Sequence, residues 1–83
     1  MAFKTVSAGF STYNKNTNQF QGISELKPFV FNTDFVSTVS PVKHPLLNPG
    51  DTVWEKDLVK VTMSNNTDFF VDMSVEEFFS FIG

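Results

Sequence analysis

The chain has no cysteine, no arginine, one histidine and only four glycines. Without cysteine there is no disulfide framework and no thiolate for a zinc site. That fits a reducing compartment, and the expected location is cytoplasmic: the host cytoplasm, or a virion if the chain is phage-encoded. With His44 as the sole imidazole, no histidine-based metal cluster can form. The same scarcity leaves no activated nucleophile, since a serine needs a positioned base beside it. No glycine-rich phosphate loop is present either. The expectation is therefore a protein that is not an enzyme, with no catalytic, cofactor-binding or metal-ligating residue and no cofactor. No run of about 18 apolar residues occurs, so no membrane-spanning helix and no membrane partner are expected. The first six residues, Met1 to Val6, carry no apolar run of signal-peptide length, and no export signal is expected.

Against these absences stand eleven phenylalanines, and a chain that is 41% hydrophobic and 16% aromatic. At this length one domain is expected over residues 1–83, burying roughly 60–65% of the unfolded surface. Each buried aromatic removes roughly 150–250 Å² from water, so a few of them build a core without metals or cross-links. Charge is uneven. Residues 1–50 hold Lys4, Lys15, Lys27 and Lys43 against Glu25 and Asp34, a net of +2. Residues 51–83 hold Lys56 and Lys60 against Asp51, Glu55, Asp57, Asp68, Asp72, Glu76 and Glu77, a net of −5. Such an acidic surface serves solubility or meets a basic partner. Exclusive use of lysine, with abundant asparagine and phenylalanine, matches a coding bias toward A and T, as in phages, mobile elements or AT-rich bacteria.

Along the chain, Phe3 to Ala8 alternates weakly and reads as a strand. Residues 9–22 are dense in asparagine, threonine, serine and glycine, and read as a loop, a long hairpin tip or a flexible arm. Between Ile23 and Lys27 there is room for a turn or short helix before Pro28. Phe29-Val30-Phe31 and Phe35 to Val39 read as strands separated by the turn cluster Asn32-Thr33-Asp34. Pro41, Pro45 and Pro49 exclude a helix or a central strand, and imply a stiff connection that tucks Leu46 and Leu47 into the core. Asn48-Pro49-Gly50-Asp51 is a turn, followed by a strand from Thr52 to Glu55.

The last third is the most explicit. Leu58 to Met63 alternates, Ser64 to Thr67 supplies turn residues, and Asp68 to Met73 returns with Phe69, Val71 and Met73 on one side. Ser74-Val75-Glu76-Glu77 is a capping box, with both glutamates at the positive end of a helix. Val75, Phe78, Phe79 and Ile82 then form one stripe of that short helix. The segment VTMSNNTDFFVDMSVEEFFSFI, residues 61–82, resembles the C-terminal hairpin and helix of small flagellar and swarming-motility proteins. That pattern runs valine–threonine–leucine, an Asn-Gly turn, an aromatic and a valine, then Ser-Val-Glu-Glu. The resemblance covers about a quarter of the chain, with Asn66 at the turn glycine and a helix richer in phenylalanine. It implies the local hairpin-and-helix fold.

The fold expected is β-rich α+β: a small barrel or strongly bent antiparallel sheet of five or six short strands, with a C-terminal helix. A plain sheet with one covering helix is the alternative. His44, between Lys43 and Pro45, reads as a solvated loop residue. Asp68 and Asp72 have the spacing for acid–base work but read as solvated surface, and Asn65-Asn66-Thr67 matches a glycosylation sequon that reads more simply as a turn. Phe10, Tyr13 and Phe20 around Lys15 could stack single-stranded bases, yet the negative net charge and missing arginines make nucleic acid an improbable partner. Phe70 and Phe81 fall off the core stripes, so with the acidic residues Asp72, Glu76 and Glu77 they form the candidate protein interface. Phe70 is also explained by a sheet buried on both faces. The leading function is a small non-enzymatic protein–protein interaction module, phage-encoded or accessory, binding a host or partner protein. The alternatives are a structural subunit of a larger homo-oligomeric assembly such as a virion, and a single-strand nucleic-acid-binding protein.

Overall fold

A computed structural model describes residues 3–83. Seven strands and one helix follow in order: β1 (Phe3–Gly9), β2 (Ser11–Tyr13), β3 (Phe20–Ser24), β4 (Lys27–Asn32), β5 (Val36–Leu47), β6 (Val53–Met63), β7 (Asp68–Val71) and α1 (Val75–Ile82). The strands form one sheet in the order β2-β3-β5-β6-β7-β1-β4. Neighbours are antiparallel except β3 and β5, which run parallel where Ile23 and Ser24 meet Leu46 and Leu47. The β-rich sheet with a terminal helix matches the expectation. Seven strands replace five or six, the sheet does not close into a barrel, and two strands are long, β5 with 12 residues and β6 with 11.

Chain length alone shows that the sheet is bent. In sheet order β4 lies four spacings from β5, about 19 Å across a flat sheet at roughly 4.8 Å per spacing. Yet only a 3₁₀ turn, Thr33–Phe35, connects them, and so few residues reach no more than about 14 Å even when extended. The β1–β4 ribbon therefore folds over one face. Asn32 starts the turn, its side-chain carbonyl accepting from the Asp34 amide at 2.9 Å. The Ser64 amide then donates to the Phe35 carbonyl at 2.7 Å and pins the corner.

This bend creates the main core. Val6, Ala8, Phe31, Val59, Val61, Met63, Phe69 and Val71 line the inner face, and Phe78 of α1 closes it. The Phe69 ring lies 5.1 Å from those of both Phe29 and Phe31. On the outer face a smaller core gathers Ile23, Leu46, Leu58 and Phe70. Its cover is the β2–β3 hairpin, into which residues 9–22 fold. The Asn14 amide donates to the Gln19 carbonyl at 2.8 Å, the Asn14 side chain accepts from the Asn16 amide, and Asn18 takes a positive φ of 59°.

Three local expectations need correction. Prolines 41 and 45 lie inside β5, which sits between β3 and β6. A proline fits a ladder where its nitrogen faces away from the partner, and β5 has an open edge along all but its last two residues. Pro28 likewise lies within β4, the outermost strand, rather than ending a helix. Thr52 to Glu55 and Leu58 to Met63 are one strand, β6, rather than two. The turn signals hold. Gly50 takes φ +76° after Pro49, with the Asp51 amide donating to the Asn48 carbonyl at 3.1 Å. Asn66 takes φ 67° at the β6–β7 turn.

The covering hairpin depends on a close approach at Gly9. A Cβ there would lie 2.5 Å from the Ser24 carbonyl oxygen and 2.7 Å from the Ile23 side chain. Gly9→Ala is therefore expected to cost about 1–3 kcal/mol, measured by urea unfolding. A change below about 0.5 kcal/mol would contradict the described crossing.

Candidate functional site

The expected interface residues separate in the structure. Phe70 pairs with Lys60 on the outer face of β7, as its alternation implies, but it is only 3% exposed. Ile23, Leu46 and Leu58 pack around it, and the His44 ring meets its edge at 5.8 Å. It is thus a core residue of a two-faced sheet. Phe81 is half-buried against the main core, 6.4 Å from the Phe78 ring, with Lys4 Nζ 5.7 Å from its centroid. Phe79, placed by periodicity in the core stripe, is instead 52% exposed. Helical geometry accounts for the exchange. At about 100° per residue, Phe81 lies roughly 60° to one side of Phe78 and Phe79 roughly 100° to the other. A helix centred on Phe78 therefore buries the former.

The acidic members stay on the surface, each held differently. Asp72 lies 3.3 Å from Lys56 Nζ. Glu77 completes the capping box: its Oε1 accepts from the Ser74 amide at 3.1 Å, while the Ser74 hydroxyl accepts from the Glu77 amide at 3.1 Å. Glu76 is exposed beside them. Asp68 has its own cation, Lys60, at 3.8 Å, so Asp68 and Asp72 are two separate ion pairs and share no proton site. Among the described residues no three of His, Asp and Glu gather closely enough to hold a metal ion, and no helix is long and apolar enough to cross a membrane.

A cleft of about 350 Å³ opens where the first turn of α1 leaves the β5–β6 ribbon. Val42, Leu58, Val59, Met73 and Val75 form its apolar floor and walls. Asp57 and Glu76 stand on its rim, Asp57 held only by a long, exposed contact of 3.8 Å to Lys43. Sequence reasoning found Glu76 and missed the floor, because the cleft joins strands and helix far apart in the chain.

The aromatic trio considered for base stacking is divided. Phe10 packs edge-on against Phe29 at 5.3 Å. Tyr13 and Phe20 remain together at 5.9 Å and lead through His44 at 5.0 Å to Phe70. His44 is therefore half-buried in an aromatic ladder, not a solvated loop residue. Its signal was the alternation Val42, His44, Leu46, obscured by Pro41 before it and Pro45 within it. Exposure also marks large apolar residues that the sequence had not, Trp54 first, then Phe3, Val30 and Phe35.

The helix rotation gives a direct comparison. Phe79→Ser is expected to change stability by less than about 0.5 kcal/mol, whereas Phe70→Ala should cost about 3–5 kcal/mol. Thermal and urea unfolding would read both; equal costs would contradict the assigned burial. In comparisons with known proteins, no protein-family model matches this chain, and no curated protein or solved structure matches it.

Proposed function

We propose that this chain is a small non-enzymatic interaction module, docking a basic and partly apolar segment of a partner protein in the cleft beside α1. The observation that carries the reading is the pairing of an apolar floor with a rim bearing Asp57 and Glu76. Burying one aliphatic or aromatic side chain there contributes about 1.5–3 kcal/mol. Lysine or arginine on either side of it would meet the rim, where Asp72 and Glu77 add to the local negative field. Exposed charges of this kind set partner choice and association rate more than affinity. Their effect is screened over about 8 Å at physiological ionic strength.

The test is a titration of labelled protein with a peptide library in which leucine, isoleucine or phenylalanine is flanked by lysine or arginine. Residue-resolved NMR should show shifts at Asp57 to Val59 and Met73 to Glu76. An Asp57→Lys, Glu76→Lys double variant should keep its fold and bind at least about tenfold more weakly. Raised salt should slow association more than it speeds dissociation. No binding by any such peptide, or shifts only at distant residues, would overturn the reading.

A further inference from the structure

One wall of the acidic cleft beside α1 is also a strand edge. Pro41 lines the cleft and lies in β5 opposite Val59 of β6. A proline has no N–H to donate, so this pair exchanges no hydrogen bonds, and the main-chain groups of Pro41 turn away from β6. Alternation turns those of Val39 and Lys43 the same way, because Val39 pairs with Val61 and Lys43 with Asp57 in unbroken register. On that side β3 meets β5 only at Leu46 and Leu47, and no described strand lies beside residues 39–43. The open edge therefore holds three carbonyls, of Val39, Pro41 and Lys43, against two amides, of Val39 and Lys43. Acceptors outnumber donors.

The register also ties this edge to the cleft. Residues paired across neighbouring strands share a face, and Val59 belongs to the main core. Pro41, Lys43 and Asp57 therefore lie on the face where α1 packs. A chain laid against β5 would place the side chain opposite Pro41 at the cleft, and the one opposite Lys43 toward Asp57. Lys43 is the competing cation there, and its 3.8 Å contact to Asp57 is exposed on both sides. A docked helix would keep its N–H groups for its own ladder and leave these carbonyls to water. An extended segment supplies the donors they lack.

We infer that the basic, partly apolar segment docks as an extended strand added to the open edge of β5, its main-chain N–H groups donating to the carbonyls of Val39, Pro41 and Lys43. The inference rests on the docking function proposed above and gives the partner its conformation. In this mode of recognition, main-chain bonds hold the strand while alternate side chains select it. The apolar side chain enters the cleft, and a lysine or arginine two residues away on the same face meets the acidic rim. The absent Pro41 amide keeps the ladder short. The edge thus resists long pairing and still accepts a segment anchored through its side chains.

The experiment uses the intact chain and a blocked peptide, Thr-Arg-Thr-Ile-Thr-Arg-Thr, together with a set of its variants, each N-methylated at one position. Binding is followed by residue-resolved NMR and by amide hydrogen exchange. Methylation should weaken binding about tenfold or more at every second position, where the lost N–H faced β5, and by less than about twofold at the positions between. The Val39 and Lys43 amides should gain protection from exchange in the complex. A peptide that shifts Asp57 to Val59 and Met73 to Glu76 but tolerates methylation at every position, or leaves both amides unprotected, would overturn the strand inference and spare the docking function. A peptide that shifts none of these residues would overturn both.

Discussion

At Gly9 and Phe10 the chain leaves β1 and crosses the sheet to become β2, so close to Ser24 that no side chain fits at Gly9. Reciprocal bonds fix the crossing: the Phe10 amide donates to the Ser24 hydroxyl, and the Ser24 amide to the Phe10 carbonyl, both at 2.9 Å. This contact holds the β2–β3 hairpin over the outer face, where Ile23 reaches Leu46, Leu58 and Phe70. Without it the outer face of β7 would present a phenylalanine to water. With it, Phe69, Phe70 and Val71 are all buried, and β7 becomes a strand with core on both sides. The helix and the β1–β4 ribbon need to cover only the inner face.

A sheet that bends without closing has free strand edges, which are templates for unwanted pairing. Proline guards two of them. Pro28 interrupts the donors of β4, and Pro41 and Pro45 those of β5. These are the residues that argued against strands when only the sequence was considered. Their chemistry was read correctly, but its consequence depends on which edge they face, and that is set by partners elsewhere in the chain. The same architecture leaves one apolar cleft between the first turn of α1 and the middle of the β5–β6 ribbon, and another where β6 ends at Met63 beside β4.

What was legible in the sequence was local. The capping box of Ser74 and Glu77, the Pro49-Gly50 turn and the Asn66 turn are each specified by residues within a few positions, and each appears as read. The alternation of Phe69 and Val71 against Phe70 also held. The fate of the outward residue was not legible, since its cover comes from Ile23, Leu46 and Leu58. The exchange of Phe79 for Phe81 has a similar cause. An eight-residue helix with phenylalanine at three positions has two defensible apolar faces, and the shape of the sheet chooses between them. Of the candidate site, the acidic rim at Glu76 was visible and its apolar floor was not. Trp54 drew no notice because it lies in a bulge of β6, between the residues opposite His44 and Leu46. A bulge is a property of two strands in register, and one strand's sequence does not show it.

The proposed activity uses what this architecture leaves uncovered. The acidic cleft beside α1 adjoins the open edge of β5 at Pro41, so one extended segment reaches both. The account stands first on the two-sided burial of β7. The most direct measurement is a nuclear Overhauser experiment on protein with labelled phenylalanine rings and methyl groups. The account predicts cross-peaks from the Phe70 ring to the methyls of Ile23 and Leu46, and from the Phe69 ring to the Phe31 ring and the methyls of Val61. A Phe70 ring that exchanges contacts only with water, or reaches the same partners as Phe69, would contradict it.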